Sequence, residues 1–161
     1  MGAALDLSQI DVGDDEEALL IAANSMPTST YASVRVTSQT PPSLPSTEQQ
    51  AFAMLVGKSS ANNVELAAIA RELEPMQKLL LSNIGMNILQ FYGVRVDRIG
   101  GRIALVVEYK RSGLNGPVFV QINRIFAPDQ EINLNLSYRE SEKVFWKPVL
   151  GRIRSSFQIV E

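Results

Sequence analysis

The side chains that most often carry proton transfer and nucleophilic attack are missing from this chain of 161 residues, which has no cysteine and no histidine. Without them there is no Ser-His-Asp or Cys-His scheme, no thiolate or imidazole metal site and no disulfide. Carboxylates, lysine and tyrosine remain for acid–base work. An enzyme built from these needs two acids facing each other across a cleft. Glu108, in the alternating run "RIALVVEYK", is a candidate for one of them, and spacing supplies no partner acid. The expectation is a protein without catalytic residues, metal or cofactor.

Three short motifs touch on binding chemistry, and each fails on its context. Gly57-Lys58-Ser59-Ser60 resembles the end of a phosphate-binding loop, but the glycine required five residues earlier is Phe52. The stretch also closes a helical pattern, whereas that motif opens a helix. "IGGR" is too short for a dinucleotide fingerprint, and its glycines suit a hairpin. "DVGDDEE" lacks the alternating oxygen ligands of a calcium loop. Arg95, Arg98, Arg102, Lys110, Arg111 and Arg124 fall on or between strand-like segments, where basic residues discourage edge pairing. A pI near 5.3, without interleaved exposed aromatics, argues against nucleic acid as a partner. Charge is nonetheless uneven. Residues 1–91 hold four Lys/Arg against ten Asp/Glu, a net of −6, and residues 92–161 hold eleven against seven, a net of +4.

The elements that must carry any site change character partway along the chain. "DDEEALLIAAN" (14–24) suggests a short helix with acids at its N-terminus and Leu19, Leu20 and Ala23 buried. "YASVRVTS" (31–38) alternates as a strand, and "QTPPSLPST" is a proline-rich linker. Ser46 and Gln49 have capping-box spacing for a helix over 47–58 that buries Phe52, Leu55 and Val56. Residues 64–74 are helical in composition. Pro75 is expected to open a further helix, with Leu80, Ile84, Ile88 and Phe91 on one side and Gly93 as its stop.

From residue 92 the period is two. Strands over "YGVRVDRI", "RIALVVEYKRS", "VFVQINRIFA" and "INLNLSYR" are separated by tight turns, which makes an antiparallel meander with one wet face. The fold class expected is α+β, with four to six antiparallel strands packed against helices and a C-terminal helix on the sheet. Residues 1–45 form a helix, a strand and a linker packed on the core, and 46–161 the α+β domain, one domain overall. Pro148 argues that the last regular helix begins near 145–147 or kinks there, with Trp146, Leu150 and Ile153, or Val149 and Ile153, against the sheet. On the third strand of the meander Phe119 and Ile125 break the polar side of the alternation. Together with Gln121, Asn123 and Arg124 they make the candidate partner-facing surface.

The closing stretch, "LNLSYRESEKVFWKPVLGRIRSSFQI", resembles the PsbP-like superfamily, a group that includes PsbP, DcrB and the Eag chaperones. The resemblance rests on Trp146, Pro148, Val149, Leu150, Ile153, Ser156 and Phe157 after a last strand, and it spans about residues 92–160. It implies a mostly non-enzymatic group and hence a protein-binding, chaperone or assembly role in the bacterial cell envelope. The alternative is a small apolar-ligand carrier with a pocket between the sheet and the 75–92 helix. The expected partner is another protein; a homodimer is compatible with the pattern. No apolar run approaches the ~18 residues of a membrane span. The opening "MGAALDLSQ" has no signal-peptide pattern, and Met1-Gly2 fits the start of a mature exported chain. A periplasmic location is therefore expected, with a cytoplasmic one as the alternative.

Overall fold

The computed structural model describes residues 17–21 and 30–160. The elements run β1 (Glu17–Ile21), β2 (Ala32–Gln39), α1 (Ser46–Ala53), α2 (Val64–Ser82), β3 (Ile88–Ile99), β4 (Arg102–Arg111), β5 (Val118–Phe126), β6 (Glu131–Arg139) and α3 (Lys143–Ser156). The strands form one antiparallel sheet in the order β1-β2-β6-β5-β4-β3. The meander β3 to β6 is therefore as expected, and the α+β class with its C-terminal helix on the sheet holds. Gly100 and Gly101, both at positive φ (56° and 77°), supply the backbone that the two-residue β3–β4 hairpin needs.

Both sides of the sheet are covered, which corrects the expectation of a wet face. On one side α3 lays Trp146 and Leu150 over Val34, Val106, Ile125, Leu134, Leu136 and Tyr138. On the other, α2 lays Leu66 and Leu81, and the turn after α1 lays Leu55, over Val94, Val96, Leu105, Val107 and Val120. The two helical layers are offset. α2 packs against β3, at one edge, and α3 packs against β6, toward the other. Each layer leaves part of its face of the sheet open.

Several local expectations change for stated physical reasons. Residues 17–21 form a strand where a helix was expected, pairing Glu17↔Thr37 through Ile21↔Ser33. A helix of about ten residues is marginal by itself, whereas the free edge of β2 satisfies the backbone of a short strand directly. The rest of the 14–24 stretch lies outside the described residues, and so does the burial expected for Leu19, Leu20 and Ala23. Helix α1 starts at Ser46 and stops at Ala53, and Pro45 is its N-cap with no side-chain cap bond. Gln49 does not complete a capping box: its Nε2 donates to the carbonyls of Leu44 and Ala127 at 2.9 and 3.1 Å.

Helix α2 runs straight through Pro75. A proline inside a helix costs about 3 kcal/mol, but Leu66, Ile69, Ala70, Leu73 and Leu81 form one stripe on the sheet across that point. The exposed proline ring faces solvent, where water can take up the freed carbonyl. The helix ends at Ser82, so Ile88, Phe91 and Gly93 belong to β3, and Leu80 and Ile84 are 59% and 67% exposed. Helix α3 begins at Lys143, behind a 3₁₀ turn over Glu140–Glu142, and contains Pro148 as its sixth residue. That start is earlier than Pro148 suggested. Pro148 gives up one intrahelical bond, to the carbonyl of Val144, a residue that is 92% exposed.

The Gly57–Ser60 stretch has no nucleotide geometry. Its backbone pairs with the outer edge of β3 through Gly57 N–H to Val96 O (3.0 Å), Val96 N–H to Lys58 O (3.1 Å) and Ser60 N–H to Val94 O (2.7 Å). It caps an otherwise open strand edge.

Candidate binding site

The open part of the α3 face is a cleft of about 410 Å³ between that helix and the sheet. Its floor is aromatic. Phe119 on β5 lies opposite Tyr138 on β6, with ring centroids 5.1 Å apart, and Tyr92 on β3 reaches the other side of Phe119 at 5.9 Å. Tyr92 can do this because β3 carries a bulge. The register passes from Phe91↔Tyr109 to Gly93↔Glu108, leaving Tyr92 as the extra residue and turning its side chain onto this face. Gly93 is required there: its φ is +113°, and a Cβ would collide with Ser60 Oγ.

The wall of the cleft is α3. Lys143, Lys147, Leu150, Gly151 and Arg154 recur at three and four residues, so they line one side of the helix. Arg154 anchors that wall to the sheet. Its Nε donates to Asn123 Oδ1 at 2.9 Å and its Nη2 to Asp97 Oδ2 at 2.8 Å. Asn123 is fully buried and donates to Leu134 O (3.0 Å) and Gln121 Oε1 (3.1 Å). Gln121 in turn donates to Glu108 Oε2 at 3.2 Å, and Glu108 pairs with Arg95. A polar chain thus crosses β3, β4 and β5 beside the aromatic floor.

The electrostatics follow from that chain. Burial pushes the Asp97 carboxyl up, but the Arg154 hydrogen bond, the Arg98 N–H and the charges of Arg154 and Arg95 together hold it below its ordinary value. Burial lowers the Arg95 guanidinium, and Arg154 nearby adds to the shift. The Tyr138 hydroxyl is pushed up to about 12, by burial first and then by Glu140 and Tyr92. It therefore keeps its proton throughout the physiological range.

The five residues singled out on the third strand of the meander do not share one surface. Phe119 and Gln121 line the cleft. Ile125 and Asn123 are fully buried under α3, so neither can face a partner. Arg124 is on the opposite face, paired with Glu131 at 3.0 Å and donating to Ser43 Oγ at 2.7 Å. Sequence reasoning passed over Tyr92, Tyr138, Lys143 and Lys147. The four-residue spacing of the lysines was visible, but the cleft they border depends on how far α3 is offset. Glu108 does lie in the cleft, and Glu140 lines it too. The Glu108 carboxylate is engaged at both oxygens by Arg95 and Gln121.

A second cleft, of about 350 Å³, opens on the other face beside α2. Its lining is largely polar: Thr37, Gln39, Gln77, Asn133 and Asn135, with the Arg124–Glu131 pair at its margin. The pocket expected against the 75–92 helix thus has a polar counterpart there, and the apolar cleft is the one under α3. Among the described residues no group of acids could hold a metal ion, and no helix is long and apolar enough to cross a membrane.

No family model matches the chain, and no curated protein matches it. Among solved structures it is similar to a Pseudomonas aeruginosa protein of unknown function, described as a conjectural regulator. That match has 15% identity and a TM-score of 0.56, covering 92% of this chain and 86% of that one. It is also similar to the cyanobacterial PsbP protein CyanoP from Synechocystis. Here identity is 12% and the TM-score 0.50, covering 91% of this chain and 83% of that one. These likenesses concern the fold, and they reach well beyond residues 92–160.

Proposed function

We propose that this protein is a non-catalytic binding module, of chaperone or assembly type, that takes an apolar segment of a partner protein into the cleft under α3. The observation that carries the proposal is the aromatic floor of the cleft, with Phe119 between Tyr92 and Tyr138: α3 covers the Tyr138 end, and Tyr92 is left 46% exposed. Aromatic side chains in a concave site supply large contact area at small entropic cost. The absence of histidine and cysteine from the sequence and the engagement of Glu108 support a role without catalysis. An envelope location belongs to the same proposal.

The test is site-specific photocrosslinking in the source cells, with benzoylphenylalanine at Tyr92 in the cleft or at Met76 on the outer side of α2. The expected outcome is a defined protein adduct from position 92 that disappears with Phe119→Ala. Adducts that ignore Phe119, or form equally from position 76, contradict it. A cleft of about 410 Å³ also has the size of a small-molecule site, which favours the carrier as the second possibility. Native mass spectrometry of gently purified protein decides between them: a copurified metabolite, lost on Phe119→Ala, supports the carrier.

A further inference from the structure

The two ends of the sheet expose different residues. At one end lie the passage from α2 into β3, the β4–β5 turn and the turn from β6 into α3. The pairings Ile88↔Arg111, Arg111↔Val118 and Val118↔Arg139 place them side by side. Ser112 N–H donates to Asn87 O and Glu140 N–H to Pro117 O, both at 2.9 Å, so the three segments are tied together. Each holds out large apolar side chains: Ile84 and Leu89 from the first, Leu114 from the second, Val144 and Phe145 from the third. Leu114 is fully exposed and Val144 nearly so. The turns at the other end, Gly100-Gly101 and residues 127–130, hold glycine, alanine, proline and polar residues instead.

Charge separates the ends as well. Residues 83–90, 110–117 and 139–145 hold four Lys/Arg against two Glu, a net of +2. Residues 97–103 and 126–131, at the other end, hold two Lys/Arg against three Asp/Glu, a net of −1. Within the apolar end Arg139 is paired with Glu142 at 3.2 Å, and Lys143 lies 4.0 Å from Glu140. Lys110 and Arg111 have no acid in ion-pair reach among the described residues; Arg111 donates instead to Ser112 O and the Tyr31 hydroxyl. As neighbours in β4 they point to opposite faces of the sheet. A cation thus flanks the apolar row on each side.

We infer that this end of the molecule docks on an anionic lipid surface, with Leu114 and Val144 entering it and Lys110 and Arg111 at its headgroups. Exposed apolar groups gathered in one place mark a surface that meets protein or membrane. Here they project from separate loops. The boundary between headgroups and acyl chains deforms around such side chains, whereas a folded partner needs a socket for each. Lysine and arginine keep their stems on apolar surface while their charged ends reach the phosphates. A second copy docked end to end brings two surfaces of net +2 together, which repel. The inference does not rest on the cleft under α3; it assigns a separate surface.

The chain has no cysteine, so a single introduced one carries an environment-sensitive fluorophore at a chosen site. Leu114→Cys, Val144→Cys and, at the other end, Asp129→Cys replace exposed side chains and should fold normally. With vesicles of phosphatidylcholine and phosphatidylglycerol, labels at 114 and 144 should shift to the blue and the label at 129 should not. Unlabelled full chain should float with those vesicles, less so with phosphatidylcholine alone or in high salt. Leu114→Asp and Lys110→Glu should each weaken that binding about tenfold. No shift at 114, an equal shift at 129, or flotation that survives both substitutions overturns the inference. A shift at 114 that grows with protein concentration without vesicles means that a second copy covers this end, which also overturns it. A protein adduct from benzoylphenylalanine at position 114, without flotation, identifies a protein partner and overturns it too. Phe119→Ala should leave flotation unchanged; a loss would place the lipid in the cleft and refute docking by this end. If the vesicles fail and the Phe119-dependent crosslink at position 92 persists, this inference falls and the binding role stands.

Discussion

The two faces of the sheet carry similar amounts of apolar cover and leave different kinds of surface open. On the α2 face, Leu66 and Leu81 seal β3 to β5, and the uncovered part over β2 and β6 is polar, lined by Thr37, Asn133 and Asn135. On the α3 face, Trp146 and Leu150 seal β2 and β6 as far as Tyr138, and the part left open runs over Phe119 to the exposed Tyr92. Polar residues left open need only water. A row of tilted rings left open at one end, on a face otherwise dry, is a surface suited to a ligand. The difference teaches that the offset of a helix, more than the composition of the strands, decides which part of a sheet is available.

That contrast can be broken by separating stability from binding. Leu66→Ala removes a fully buried side chain from the α2 face and should cost about 3 kcal/mol in a denaturant melt. Affinity at the α3 cleft should be unchanged under native conditions; a tenfold loss would mean that the faces do not act separately. Arg154→Ala should cost about 2 kcal/mol, because Asn123 Oδ1 would be left buried without its donor. Unlike Leu66→Ala it should also weaken cleft binding, since it frees the wall that Arg154 holds to the sheet. Stability lost without any change in binding would show that the wall does not depend on that anchor.

A smaller effect concerns pH. Asp97 has its folded value below its unfolded one, so its contribution is present above the ordinary carboxylate range and is lost as pH falls through the folded value. Asp97→Asn should therefore be less stable than wild type at neutral pH and converge with it in acid. A constant difference across the acid limb contradicts this. The smallest effect is at Tyr138. Phenol absorbance should show one tyrosine ionising near 12, absent in Tyr138→Phe. That variant should be nearly as stable as wild type, because the hydroxyl it loses has no partner among the described residues.

The meander, its Gly100-Gly101 hairpin and the burial of Trp146 and Leu150 were legible because alternation and turn chemistry act locally. The coverage of both faces was not. In a strand buried on both sides alternation no longer marks inside and outside, and Gln121 and Asn123 read as solvent-facing although Arg154, thirty-one residues on, satisfies Asn123 from α3. Leu80, Ile84, Ile88 and Phe91 imitate a helical stripe across the real boundary at Ser82, because a helix end and a strand start happened to keep the spacing. The cleft was partly legible, through Phe119. Tyr92 needed the bulge, and Lys147 needed the position of α3.

The most direct test of the binding surface is a map of backbone amide shifts on adding a peptide copied from the partner segment that the crosslink at position 92 captures. The account predicts saturable shifts at Tyr92, Phe119, Tyr138 and Lys147, with Gln39, Gln77 and Asn133 unmoved. Shifts centred on the polar cleft beside α2, or along the outer side of α2 at Met76 and Leu80, would contradict it.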